Sequence, residues 1–340
     1  MIDFRYHLVS IVAVFLALAI GIVLGSTELQ GSTLDSLRAI NNSLGNKLNA
    51  AYAELGAASK EANASDTFLQ TAEPKLLSGM LVGDKIVLVT EPGAPSAIID
   101  GVSSAAADAG ATVTGTVALQ PKFNDLSGST QSSLDAINTE LASTGGTVLA
   151  PAVVQQTGFQ QDAAQLIATA ILDSQAGMTV PEAQNILAAY AKSGYLTTSG
   201  APWNRATLAV VVTPQSAPAD GPNDPANLVL LAVAAQLATA SVATLVAGPV
   251  ASSASSASAI SVLRGSSASS QVSTVDNADT TLGQISAIWA LADQQVGGKP
   301  NSYGVSGASA VSPEPSPVPS DTPTASATPT PKATGKVKRP

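Results

Sequence analysis

The spacing of apolar residues changes three times along this chain, and each change marks a different kind of element. From Leu8 to Leu24 nearly every position is apolar, with no charge and no proline. The run of about 17 residues is just long enough to cross a bilayer as a helix. From 34 to 69 the apolar and small positions fall at alternating three- and four-residue steps. Leu34, Leu37, Asn41, Leu44, Leu48, Ala51, Leu55, Ala58, Ala62, Ser65 and Leu69 form an a/d heptad series. From Asp84 the pattern shortens again to apolar β-branched runs separated by amphipathic stretches, the signature of strands alternating with helices.

The first run has two readings. A secretory signal has a shorter apolar region and a small-residue cleavage site, for which Val23-Leu24-Gly25 before Ser26 would serve. The length of the run and its thin positive start, Arg5 and the terminal amine, favour an uncleaved anchor. Ala13, Ala17, Gly21 and Gly25 recur every four residues and so share one helix face. Small residues there let two helices approach closely in lipid. Arg5 before the run, with no further base until Arg38, places the amino end in the cytoplasm and the bulk outside it. Which membrane holds the helix, inner or outer, stays open. The heptads that follow predict a coiled coil with a buried Asn41, or a single helix folded back on its own domain. Ala17, Gly21, Gly25, Leu34, Leu37, Asn41, Leu44, Leu48 and Leu55 are the expected assembly positions.

In the third region Lys85–Thr90 is a strand, Ser96 opens a helix, and Thr112–Leu119 is the next strand. Later, 206–213, 241–247 and 271–275 read as strands. Asp224 before Pro225 opens a helix. Asp279 or Thr281 opens a last helix to Gln295, with Thr281 and Gln284 at capping-box spacing. Helices around 131–143, 160–173 and 182–193 and a strand near 147–150 fill the middle, as part of the same sheet or as an insertion. The expected fold is an α/β domain with a mostly parallel sheet covered on both faces. Four segments result: an anchor at 1–26, a coiled-coil helix at 27–75, the α/β domain at 84–305, and a tail at 306–340. The tail is rich in Pro, Ser and Thr, lacks large apolar residues and is expected to be disordered.

Composition removes several function classes. A net charge of −9 argues against sequence-independent nucleic-acid binding. There is no cysteine and one histidine, His7, at the membrane edge. Thiolate chemistry, Ser-His-Asp catalysis and histidine-held zinc therefore have no residues in the globular part. Three methionines, Met1, Met80 and Met178, are too scattered for a soft copper site. No phosphate-cradling glycine motif follows a strand. No resident cofactor and no enzyme activity are expected. The remaining candidates are acids at the carboxyl ends of strands, Glu91, Asp276 and Asp279. They would meet around a hard divalent cation only if their strands are neighbours.

The opening FRYHLVSIVAVFLALAIGIVLGS and the late STVDNADTTLGQISAIWALADQQVGGKPNSYG resemble the actinobacterial copper transporter family, that of mycobacterial copper transport protein B. The resemblance implies a membrane protein of an actinobacterial envelope, acting in copper export or homeostasis, with copper as the transported ion. It implies either a channel or an accessory component with other envelope proteins as partners. One apolar helix makes no pore in a monomer, so a channel would require a homo-oligomer. The alternative is a scaffolding protein that assembles through the coiled coil and carries no copper.

Overall fold

The computed structural model describes residues 4–151, 155–174, 178–250 and 255–314. The chain divides into two compact units, 1–67 and 68–340.

A helix, α1 (Phe4–Leu77), begins four residues before the apolar run and runs through the heptad segment. Within it Arg5–Gly25 is long and apolar enough to cross a membrane. Pro74 lies in the last turn. Beyond α1 the elements alternate: β1 (Lys85–Thr90), α2 (Ser96–Asp108), β2 (Thr112–Leu119), α3 (Gly128–Gly145), α4 (Gly158–Ile171), α5 (Val180–Lys192) and β3 (Leu196–Gly200). Then follow β4 (Leu208–Val212), α6 (Pro225–Ala240), β5 (Ala243–Ala247), α7 (Ala259–Arg264), β6 (Ser273–Val275), α8 (Thr281–Gln295) and β7 (Ser302–Tyr303).

The strands form one sheet in the order β3-β2-β1-β4-β5-β6-β7. All pairs are parallel except β2 with β3. Strand order reverses direction between β1 and β4, the place where sheets of this type usually leave a crevice at their carboxyl ends. Alternate side chains of the central strands enter two separate cores. Val87, Val89, Val117 and Val211 pack under α4, α5 and α6. Ile86, Leu88, Val210 and Leu245 pack under α2 and α8, together with Leu77 from the end of α1. Burial on both faces explains why β1, β4 and β5 are continuously apolar.

The middle of the chain is a helical layer with its own polar ties. Asn138 of α3 is fully buried. It accepts from the Tyr190 hydroxyl of α5 at 2.7 Å and donates to the Phe159 carbonyl of α4 at 2.8 Å. One amide thus joins three helices. Burial and the nearby Asp162 charge push the Tyr190 hydroxyl well above the usual tyrosine range, so it stays a donor.

The expected strand near 147–150 does not form. Thr147 instead closes the end of α3 by donating its N–H to the Ala142 carbonyl. The sheet takes a different partner from this region, β3. Only Leu196 of β3 is buried, and its other four residues are exposed, so it has no apolar run to announce it. The last helix also starts one residue away from the expected caps. Thr280, not Asp279 or Thr281, accepts the Gly283 N–H. The tail beyond 314 lies outside the described residues.

Candidate functional site

The carboxyl edge of the sheet holds the candidate acids, and the topology keeps two of them apart. Glu91 follows β1 and Asp276 follows β6, with β4 and β5 between those strands. Three strand spacings of about 4.8 Å amount to roughly 14 Å. The neighbouring strands required for the acids to converge are therefore absent. Among the described residues no three His, Cys, Asp or Glu side chains are grouped as a metal would require.

Glu91 is fixed by its backbone. Its N–H donates to the Val212 carbonyl and its carbonyl accepts from Ala94, closing the Glu91-Pro-Gly-Ala-Pro turn. Its side chain is buried, and Oε2 has no hydrogen-bond partner among the described residues. Burial pushes the carboxyl up to about 8, so it is mostly protonated at neutral pH.

Asp276 has the opposite surroundings. It is completely buried, and its Oδ2 meets Arg264 Nη1 at 2.7 Å. The Val305 N–H donates to Oδ1 at 2.7 Å and the Ser306 N–H to Oδ2 at 3.0 Å. Arg264, the last residue of α7, uses its remaining donors nearby. Nε donates to Thr274 Oγ1 at 2.8 Å, Nη1 also to the Ser306 carbonyl at 2.6 Å, and Nη2 to the Tyr303 carbonyl at 2.8 Å. One ion pair thus ties α7, β6 and the loop after β7 together. Gly304 is required at that loop: its φ is +127°, and a Cβ there would overlap the Asp276 carboxylate. With its oxygens held by a guanidinium and two amides, Asp276 is a clamp for this loop. Asp279 accepts the Val250 N–H through Oδ1 at 3.2 Å.

Arg264 stands in no motif or apolar period. A signal was present: Arg264 is the one Lys or Arg between Arg205 and Lys299. A lone base in so long a stretch needs a partner if its helix is buried.

The expected assembly positions lie on α1. Leu37, Leu44, Leu48 and Leu55 are between 55% and 65% exposed in the single chain, and Asn41 is exposed with them. Ala17, Gly21 and Gly25 are exposed too, and a Cβ built on either glycine meets nothing within 4 Å. The side chain of Leu34 lies outside the described residues.

Asp276, Thr274 and Tyr303 of the clamp lie inside the late stretch whose residues resemble a known family, and Arg264, Val305 and Ser306 lie just outside it. A family model described as "Copper transport outer membrane protein, MctB" matches residues 1–313. The chain belongs to the MctB family. It is 32% identical over 320 residues to the copper transporter MctB of Mycobacterium tuberculosis (strain ATCC 25618 / H37Rv), covering 92% of this chain and 99% of that protein. It is 31% identical over 321 residues to the copper transporter MctB of Mycobacterium leprae (strain TN), with the same coverage. The match to the MctB family thus spans the apolar helix, the heptad segment and the α/β domain together.

Proposed function

We propose that this protein is a membrane-anchored envelope protein acting in copper export, with Arg5–Gly25 as its retained anchor and the α/β domain outside the cytoplasm. The observation that carries this reading is the match over residues 1–313 to a family described as a copper transport outer membrane protein. The exposed 21-residue apolar helix supports the membrane part of it. Soft copper ions prefer thiolate, thioether and imidazole ligands. This chain has no cysteine, one histidine and three methionines. Its contribution to export is therefore assembly: a homo-oligomer formed through Ala17, Gly21, Gly25 and the heptad leucines, as a pore or as the support of one built with other envelope proteins. A scaffold that carries no copper is the second reading, favoured by the same exposed heptad face.

Deletion of the gene separates the two. Raised intracellular copper and copper sensitivity are expected, restored by the wild-type chain. Unchanged copper tolerance sinks the export reading and leaves the scaffold. Within the export reading, Leu44→Asp with Leu48→Asp puts two charges into the seam. These variants are expected to lose crosslinked oligomers and to fail to restore tolerance. An unchanged oligomer would remove the assembly step.

A further inference from the structure

At the amino edge of the sheet, the starts of β1 and β2 border an open cleft of about 470 Å³, within the range that takes a small organic ligand. Lys85 and Thr112 enter it from the first residues of those strands. Trp203, Asn204 and Arg205 come from the turn before β4, and Asp173 from the segment after α4. Asp173 Oδ1 meets Arg205 Nη2 at 2.8 Å. The backbone holds this pair in place. The Ala206 N–H donates to the Ile171 carbonyl at 2.8 Å, and the Asp173 N–H donates to the Ala206 carbonyl at 2.9 Å.

Arg205 has a φ of +42° and is the one non-glycine residue with positive φ among the described residues. An L-residue keeps such a conformation only where its surroundings force it, and such residues gather at binding sites. The ion pair does not account for the strain, because a partly exposed pair adds little to stability.

The chemistry of the walls narrows the ligand. A hydroxyl group both donates and accepts. Arg205 and Lys85 are donors, and Thr112 does both. The second oxygen of Asp173 accepts nothing from the described residues. Trp203 is half-buried against the core and lines the cleft, where an indole offers an apolar surface with a polar edge. An anion such as phosphate would face the Asp173 carboxylate. A purely apolar ligand would cover the Arg205–Asp173 pair and the Lys85 ammonium and give their remaining donors and acceptors no partner. A sugar ring has an apolar C–H face for the indole and neighbouring hydroxyls for the Arg205–Asp173 pair. We propose that this cleft is a saccharide-binding site, with Trp203 as the stacking wall and Arg205–Asp173 as the hydroxyl clamp.

Calorimetric titration of the full chain in detergent with cellotetraose, chitotetraose, tetragalacturonate and inorganic phosphate tests this. Saturable binding of at least one tetrasaccharide is expected, with none for phosphate. Trp203→Ala and Asp173→Asn are expected to weaken it tenfold or more. Asp173 is 57% exposed, so Asp173→Asn is expected to leave the unfolding temperature in place and decides the matter even if Trp203→Ala misfolds. Arg205→Gly removes the strained side chain and is expected to unfold no earlier than wild type while losing the sugar. No heat with any tetrasaccharide, saturable binding of phosphate alone, or undiminished binding by Asp173→Asn and Arg205→Gly would overturn the proposal.

Discussion

Two buried acids follow strands of the same sheet edge, and the fold treats them in opposite ways. Asp276 is met by a guanidinium and two amide N–H groups within 3.0 Å. Glu91 has a backbone tied into the sheet and a carboxyl oxygen with no partner among the described residues. Removing a carboxylate from water costs several kcal/mol, which only close partners offset. Asp276 has those partners. Glu91 lacks them and keeps its proton. The difference teaches that two buried acids on one sheet edge need not share surroundings: one arrives with its donors, and the other is left to burial alone.

The largest expected effect comes from breaking the satisfied acid. Arg264→Met leaves Asp276 buried without its cation, and loss of one partner of a buried pair costs about 3–5 kcal/mol. Chemical unfolding of the full chain in detergent measures this. The double variant Arg264→Met with Asp276→Asn removes the stranded charge and is expected to recover part of the loss, so the two changes are not additive. A cost below about 1 kcal/mol for Arg264→Met, in the range of an ordinary surface pair, would mean that the two acids are not treated differently.

Glu91 gives the next effect, and its direction is opposite. Its folded value, about 8, lies above its ordinary value of 4.5. Below pH 4.5 both folded and unfolded chains hold the proton, and the group costs nothing. Between 4.5 and 8 only the folded chain holds it, so stability falls as pH rises, by up to about 1.4 kcal/mol per pH unit. Glu91→Gln cannot titrate. It is expected to flatten the unfolding profile between pH 5 and 8 and to outlast wild type increasingly toward pH 8. Parallel profiles for the two proteins would show that Glu91 is solvated.

The contrast also marks what the sequence could tell. A strand apolar on both faces declares itself, as β1 does, and both β1 and β2 lie at the residues expected of them. The Asp224–Pro225 start of α6 is equally local, since Asp224 accepts the Ala226 N–H two residues on. The edge strand β3 was illegible, because Thr197, Thr198 and Ser199 face water and leave no apolar period. Thr-Val-Leu-Ala at 147–150 has the composition of a strand but no partner strand beside it. Sheet order is not written in any local pattern, so the distance between Glu91 and Asp276 had to come from the fold. The pairing of Arg264 with Asp276, twelve residues apart across α7 and β6, has no periodicity either. The heptads of α1 are plain in the sequence, but a seam between copies leaves no trace in one chain.

The smallest expected effect lies between Asp276 and the helix that follows it. Thr280 Oγ1 accepts the Gly283 N–H at 3.1 Å and donates to the Asn277 carbonyl at 2.8 Å. Asn277 is itself buried, with Oδ1 unpartnered among the described residues. This turn is therefore part satisfied and part unsatisfied, intermediate between the two acids. Thr280→Ala removes the helix cap, at a cost of about 1 kcal/mol, and Thr280→Ser restores the hydroxyl and is expected to recover most of it. If the Asp276 clamp supports the turn, Thr280→Ala costs less when Arg264 is intact than in Arg264→Met, where the loop is already loosened. Equal costs in both backgrounds would mean that the clamp ends at the loop after β7 and that α8 is anchored by its own core contacts, Ile285, Ile288 and Leu291.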